Sequence, residues 1–212
     1  MNEFLEIFSY QYFLNALLAS LLTAISCGII GSYIVAKRMV FVAGGITHSS
    51  FGGIGIAYYL GLNPILGASI FALLSGLGIE RFTKKADIRN DSVIAILWSL
   101  GMAIGIIFIY LTPGYAPNLM SYLFGNILTV NTFDLMILLV LSVIILIFFS
   151  VFYKKILFIS FDEEYAKSQN IRVELFNYAL MILVALTIVM NIKLVGIILL
   201  ISLLTVPQNT AN

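Results

Sequence analysis

The sequence predicts an all-α integral membrane protein, a polytopic bundle of about seven transmembrane helices that forms a single domain over residues 1–212. Three observations predict this class: the shortage of charge, the recurrence of long apolar stretches and the distribution of basic residues between loops. Of the 212 residues, 61% are hydrophobic and 10% are charged, whereas a soluble domain carries about 25% charged residues to face water. Most of the surface must therefore face membrane lipid.

Seven apolar stretches have about the length that crosses ~30 Å of hydrocarbon. They cover residues 13–36, 41–62, 65–79, 92–111, 133–153, 175–190 and 194–207. The first stretch stops at Lys37, the second at Pro64 and the fifth at the pair Lys154-Lys155. The third is followed by the polar segment ERFTKKADIRND and the fourth by TPGYAPN. Each stretch is predicted to be one membrane-spanning helix.

Two segments do not fit a plain span. Residues 121–128, SYLFGNIL, are apolar but too short to cross, so they predict a short re-entrant or interfacial helix, or an ordered external loop. Residues 160–172 are polar and contain the run Asp162, Glu163 and Glu164. Acidic residues suit the first turn of a helix, where they meet the positive end of its dipole. We expect a short cytoplasmic helix here, with a surface for a soluble partner.

The basic residues orient the bundle. With the N-terminus outside, the outer loops keep only Lys193. The cytoplasmic loops then hold Lys37, Arg38, Arg81, Lys84, Lys85, Arg89, Lys154, Lys155, Lys167 and Arg172. This asymmetry is the one that the positive-inside rule requires. The chain is therefore expected to cross a membrane several times with the basic loops in the cytoplasm.

Several functional classes are excluded. A formal net charge of +1 without a basic tract gives no sign of nucleic-acid binding. Cys27 is the only cysteine, which excludes an intrachain disulfide and a cysteine metal cluster. The run GGITHSSFGGIG lacks the lysine of a phosphate-binding loop. Asp134, at the outer end of the fifth stretch, is interpreted as a solvated helix-start residue. Nothing in the sequence predicts an enzyme.

His48 is the only histidine and lies inside the second stretch, near its cytoplasmic end. An ionisable residue within a span usually faces a cavity or a partner rather than lipid. Its neighbours are mainly glycine, serine and threonine, which let helices approach closely or leave room for a passing ion. His48 is either a contact for a transported substrate or a packed residue bonded to a nearby carbonyl. One imidazole alone cannot make a metal site.

Five sequence blocks, in this order, resemble the permease family of zinc, manganese and iron ABC importers. They are AKRMVFVAGGITHSSFGGIGIAYYLG, DSVIAILWSLGMAIGIIF, MSYLFGNIL, ISFDEEYAKSQNI and VGIILLISLLTVPQNTAN. They extend over nearly the whole chain. Family members continue past the last block by at least one further span, so the resemblance implies a family fold shortened at its C-terminal end.

The resemblance implies a permease domain with the type II ABC importer fold, which moves a divalent metal ion into the cytoplasm. It also implies that the membrane is a bacterial plasma membrane. Zinc is the first expectation, with manganese and iron as alternatives, and no cofactor is covalently bound. The implied partners are a cytoplasmic ABC ATPase subunit, an extracytoplasmic metal-binding protein and a second permease copy in a homodimer. ATP hydrolysis would belong to the ATPase, so this chain would not itself be an enzyme.

The resemblance also assigns site residues. His48 would contact the metal on the translocation pathway. Many relatives have an aspartate four residues before this histidine, on the same helical face, whereas this chain has Gly44. Without that carboxylate the site would be softer, which favours zinc over manganese.

Coupling to the ATPase would fall in a segment of about residues 156–172. The positions that the resemblance implies for this contact are Phe161, Asp162, Glu164 and Ala166.

Two other transporter classes remain as alternatives. Permeases for siderophores or cobalamin are longer and have more spans. A secondary transporter that works without ATP predicts inverted repeats and charged residues near the membrane midplane, and neither is evident in the sequence.

Overall fold

The computed structural model describes residue 8, residues 10–85, residues 90–113, residue 122 and residues 124–211. Its α-helices are α1 (Gln11–Ala36), α2 (Val40–Tyr59), α3 (Pro64–Lys85), α4 (Asn90–Leu111), α5 (Thr132–Phe161), α6 (Glu163–Ser168) and α7 (Val173–Thr210), with a 3-10 turn at Ile127–Thr129. Within these residues there is no strand, and six helices, all but α6, are long and apolar enough to cross a membrane. The all-helical, multi-pass prediction is confirmed.

Helix boundaries follow from local chemistry. α2 ends before Gly61, whose positive φ of 68° closes the helix and suits a residue without a Cβ. Pro64 then starts α3, where its missing N–H is not needed. α5 starts with a capping box: Asn131 accepts from the Asp134 N–H, and Asp134 accepts from the Asn131 N–H. Asp134 is therefore a helix-start residue, as the sequence predicts, but it is not solvated, because it pairs with Lys193 and its side chain is only 16% exposed.

Helix α2 lies at the centre of one half of the bundle, between α3 and α4. Three of its glycines make this close packing possible. A Cβ on Gly52 would lie 2.9 Å from the Gly101 carbonyl oxygen, and one on Gly55 would lie 2.5 Å from that of Gly105. A Cβ on Gly53 would overlap the carbonyl oxygen of Gly67 on α3. The small residues thus serve helix contact on two sides of α2.

Helix α7 is broken at Gly196, which has φ 76° and ψ 167°. We call residues 173–195 the long arm and residues 197–210 the short arm. Gly125, which also has a positive φ of 69°, packs so closely that a Cβ on it would overlap the Gly196 nitrogen. The N–H of Asn126 donates to the Lys193 carbonyl oxygen at 3.2 Å.

The two arms run in opposite directions. Along the long arm the contacts with α1 shift from the C-terminal end of α1 to its middle, and along the short arm they return towards that C-terminal end. Near the start of α7, Asn177 lies at the C-terminal end of α1. Asn191 lies beside Thr23, in the middle of α1, and accepts its hydroxyl hydrogen bond at 2.6 Å. The short arm then places the Leu204 carbonyl against Gly31, again towards the C-terminal end of α1. The sixth and seventh predicted spans are therefore the two arms of α7.

Two helices, α5 and α3, extend beyond the ends of the spans that the sequence predicts, so these two predicted ends are wrong. α5 does not stop at Lys155 but continues to Phe161, with a local departure from helical angles at Phe152. Lysine is a good helix former, and beyond it Ile156 and Ile159 remain buried and keep the helix packed. Similarly, α3 continues through the polar residues after the third stretch. The charged pairs mark where a helix leaves the apolar region, and the helix itself extends further.

Charged side chains lie at both ends of the bundle, as the distribution of charge along the sequence predicts. At one end of the bundle, which we call the basic end, Lys37 pairs with Glu163 at 2.7 Å. At the opposite end, Lys193 pairs with Asp134 at 2.6 Å. Arg89 and residues 114–121 lie outside the described residues, as does part of the predicted short segment at 121–128. Its described part, from Phe124 to the 3-10 turn, packs beside Gly196.

Candidate functional site

His48 projects from α2 towards α4 and stacks on Trp98. The two ring centroids are 4.0 Å apart and the planes differ by 12°. The imidazole is half-buried, and its Nδ1 atom is buried without a hydrogen-bond partner among the described residues. The sequence allows two interpretations of His48, a substrate contact or a packed residue bonded to a nearby carbonyl. The structure shows no bond from Nδ1 to a carbonyl oxygen of the described residues.

The other polar side chains on α2 are satisfied within the bundle. Thr47 and Ser50 donate to carbonyl oxygens one turn back, at 2.6 Å each, a common arrangement for hydroxyls in helices. The Ser49 hydroxyl donates to that of Ser75 on α3 at 2.7 Å. His48 is therefore the exception on this helix, because one polar atom of its ring is buried and unpaired.

Gly44 lies one helical turn before His48 on the same face. A Cβ at this position would be 3.2 Å from the Cζ3 atom of Trp98. The indole ring thus covers both Gly44 and His48, and it occupies the space beside the position where the resemblance expects an aspartate. The sequence analysis missed Trp98, although it is the only tryptophan, since no spacing pattern places α4 opposite this face of α2.

The described residues contain no group of three or more histidine, cysteine, aspartate or glutamate side chains that could hold a metal ion. Among the described residues, His48 therefore belongs to no such group. A cation at this position would need ligands besides His48, because one imidazole alone cannot make a metal site.

The predicted cytoplasmic helix is present as α6. The Asp162 side chain caps it by accepting the N–H groups of Glu164 and Tyr165, at 2.9 and 3.0 Å. Glu163 and Glu164 stand in its first turn, where the helix dipole favours negative charge. The short helix that the acidic run predicts is confirmed, and its cytoplasmic position stays a prediction.

The four residues implied for coupling have different surroundings. The Phe161 side chain is 83% exposed, and Glu164 is also exposed. Asp162 is engaged in capping, while Ala166 is fully buried against Ile159 and Val173. The structure thus brings the four residues into one short segment, in which Phe161, Asp162 and Glu164 are exposed and only Ala166 is buried.

Glu163, which the sequence analysis did not select, faces the bundle. Its Oε1 atom accepts from Lys37 Nζ at 2.7 Å and from Asn177 Nδ2 at 3.2 Å. These contacts join α6 to the end of α1 and to the beginning of α7. No local sequence signal reveals them, because Lys37 and Glu163 are 126 residues apart.

A bundle of membrane-length helices, with a lone histidine on a buried span and a capped surface helix at one end, defines a multi-pass membrane permease. The model of the ABC 3 transport family matches residues 9–212. This chain therefore belongs to that family of ABC transporter membrane subunits.

Relatives and solved structures agree with this membership. The membrane protein slr2045 of Synechocystis is 44% identical over 212 residues, which cover all of this chain and 75% of the relative. The manganese transport system membrane protein MntC of Listeria monocytogenes is 34% identical, over 98% of this chain and 74% of the relative.

Among solved structures, PsaBC from Streptococcus pneumoniae in complex with Fab has a TM-score of 0.83 at 32% identity, covering 99% of this chain and 76% of that one. An inward-facing metal-chelate type ABC transporter has a TM-score of 0.74 at 18% identity, covering 90% of this chain and 65% of that one. The second similarity concerns the fold alone.

Proposed function

We propose that this chain is the permease subunit of an ABC importer that moves a divalent metal ion into the cytoplasm, driven by ATP hydrolysis in a partner subunit. Family membership supports the transporter class. The names of several relatives support manganese as the cargo, whereas the sequence alone favours zinc. An extracytoplasmic metal-binding protein would deliver the ion, and two permease copies would enclose its path.

The observation that carries this proposal is the state of His48. A buried polar atom without a partner is costly in an apolar medium, and ionisable side chains within spans usually mark a functional path. The neutral imidazole nitrogen is a good ligand for divalent transition metals. Two copies of this chain would supply two imidazoles, with water completing a transient site.

Coupling to the ATPase is assigned to the basic end. Phe161 and Glu164 are exposed on the segment around α6, so they are available to a soluble partner. Asp162 and Ala166 hold the segment in shape, by capping and by packing. Phe161, Asp162 and Glu164 are thus the residues of this segment that a soluble ATPase would contact, and the buried Ala166 would support them from below.

The proposal is tested by ATP-dependent uptake of radiolabelled Mn²⁺ and Zn²⁺ into vesicles that contain the chain, its ATPase and its binding protein. We expect His48→Ala to lower uptake at least about tenfold, in line with the loss from disturbing a metal ligand. Phe41→Ala, on the same helix but with its side chain 67% exposed, should transport normally.

Full uptake by the His48→Ala chain would remove His48 from the pathway. Uptake that needs no ATPase subunit would favour the secondary-transporter alternative. The ion that the wild-type complex prefers would decide between manganese and zinc.

A further inference from the structure

Glu163 connects three elements at the basic end. It belongs to α6, it forms an ion pair with Lys37 at the end of α1, and it accepts a hydrogen bond from Asn177 near the start of α7. The pair is partly shielded from water, with the side chains of Lys37 and Glu163 13% and 35% exposed. Shielding strengthens an ion pair relative to one on an open surface, and makes the loss of either partner more costly.

Lys37 stands at a stiff connection between α1 and α2. Its own N–H donates to the Tyr33 carbonyl at 3.0 Å, and the Met39 N–H donates to that of Ile34 at 2.9 Å. Between them, Arg38 has a positive φ of 56°. α2 begins immediately afterwards at Val40. The backbone of Lys37 is therefore firmly joined to the start of α2, and its largely buried side chain connects that backbone to Glu163.

His48 follows eight residues after the start of α2, which is about 12 Å along a helix. α2 is packed closely on α3 and α4 through glycines on two sides, so a displacement at its start is carried along this group of helices. At the other end of the connection, Ala166 anchors α6 on Ile159 and Val173. A continuous set of contacts thus runs from α6 through Glu163 and Lys37 to the helix that carries His48.

We propose that Glu163 is a positioning residue that transmits a displacement of α6 to the start of α2 through Lys37, and thereby sets the position of His48 during each transport cycle. The inference rests on the proposed function and adds to it. The exposed residues of the α6 segment receive the force from the ATPase, and Glu163, on the inward side, passes it to the spans.

The test measures the number of Mn²⁺ ions moved per ATP hydrolysed, in vesicles with the complete complex of permease, ATPase and binding protein. Glu163→Lys and Lys37→Glu should each lower this ratio about tenfold, within the range usual for coupling between sites. The double variant that exchanges the two charges should recover the ratio to within about twofold, because it restores the pair.

Matched controls carry the same charge changes at exposed positions. Glu174→Lys lies in the first turn of α7 and Lys154→Glu on α5, and both should keep the wild-type ratio. Glu163→Gln preserves the shape of the side chain and an acceptor for Asn177. It serves as the single variant if the charge reversals do not assemble.

A wild-type ratio in the assembled single variants would overturn the inference. So would a parallel fall in uptake and ATP hydrolysis, which indicates a merely structural role, or a charge exchange that recovers nothing. These outcomes leave the proposed function intact. If the wild-type complex moves no Mn²⁺ or Zn²⁺, the proposed function fails and the inference fails with it.

Discussion

Trp98 decides what can stand next to His48. Its indole ring stacks on the imidazole and would be 3.2 Å from a Cβ at Gly44, so it covers the face of α2 that carries the histidine. A side chain at position 44 and the indole compete for the same space. The absence of a carboxylate at position 44 and the presence of a large ring at position 98 are therefore two parts of one arrangement.

We predict that Gly44→Asp displaces Trp98 and breaks its stacking on His48. The new Cβ would lie 3.2 Å from the ring, and the carboxylate extends beyond it, so the expected cost is about 1–3 kcal/mol for overpacking. Since Trp98 is the only tryptophan, the fluorescence emission of the purified chain reports on it directly and should shift.

The matched control is Gly78→Asp, on α3, where a built Cβ has only the edge of the Phe82 ring at 4.0 Å. It introduces the same carboxylate and should leave the emission of Trp98 unchanged. An unaltered spectrum for Gly44→Asp would show that the ring accommodates the side chain without moving.

At the scale of residues, the sequence reveals residues of a rare type and residues whose role depends on their neighbours in the chain. His48 is selected as a candidate site residue because it is the only histidine and lies in a span. The acidic run from Asp162 predicts a helix start because that signal lies within one turn. Trp98 and Glu163 are not predicted, because each acquires its role from a partner on another helix. The distance of 126 residues between Glu163 and Lys37 leaves no pattern that one sequence can display.

At the scale of elements, the glycines of α2 set how closely its neighbours approach. Gly53 and Gly67 bring the backbones of α2 and α3 into direct contact. In a membrane this packing supplies much of the association between helices, because lipid is as apolar as the side chains.

We predict that Gly53→Ala destabilises the bundle by about 1–3 kcal/mol or more, because its methyl group would overlap the Gly67 carbonyl. Gly28→Ala, on α1, is the matched control, since a Cβ there meets nothing within 4 Å. Alanine is better than glycine in a helix interior by up to about 1 kcal/mol, so this control should be neutral or slightly stabilising. Thermal unfolding of the two purified variants provides the comparison, and equal melting temperatures would contradict the prediction.

Most elements are predicted well at their apolar parts and less well at their ends. Hydropathy reports where a helix crosses lipid, whereas the backbone hydrogen bonds that define the helix continue into water. This is why α5 extends past Lys154 and Lys155 to Phe161, and α3 to Lys85. The start of α6 is predicted correctly because its signal, an acidic first turn, concerns the helix end itself.

At the scale of the whole molecule, the described helix ends separate into a basic end and an opposite end, and the proposed coupling needs the basic end to face the cytoplasm. We predict that Leu62→Cys reacts with a membrane-impermeant thiol reagent in intact cells, and that Lys154→Cys reacts only after permeabilisation. Both side chains are exposed and lie at opposite ends of the bundle. The measurement uses Cys27→Ala as the background, so that no other thiol is present.

The reverse labelling pattern would place α6 outside the cell and leave it without access to an ATPase. Labelling of both positions in intact cells would instead indicate a chain inserted in two orientations. The orientation of the bundle in the membrane rests on the positive-inside rule alone. It is therefore measured independently of transport.

The multi-pass character is predictable from the sequence, but the joining of the last two predicted spans in one helix, α7, with a sharp turn inside it is not. The polar residues Asn191 and Lys193 suggest a loop between the last two apolar stretches, whereas the chain turns at Gly196. Asn191 is instead fully buried and bonded to Thr23. A polar residue that has a distant partner looks the same in a sequence as one that faces water.

The contacts of the two arms of α7 with α1 also fix an order of events during synthesis. Thr23 and its partner Asn191 are 168 residues apart, and Cys27 and Gln208 are 181 apart. A ribosome that adds about 5–20 residues per second needs roughly 10–30 s to cover such a distance. For that time the Thr23 hydroxyl is without its partner Asn191, and α1 lacks the contacts that both arms of α7 make with it. Helix α1 is thus synthesised long before the helix that packs against it, so these contacts form only late in translation.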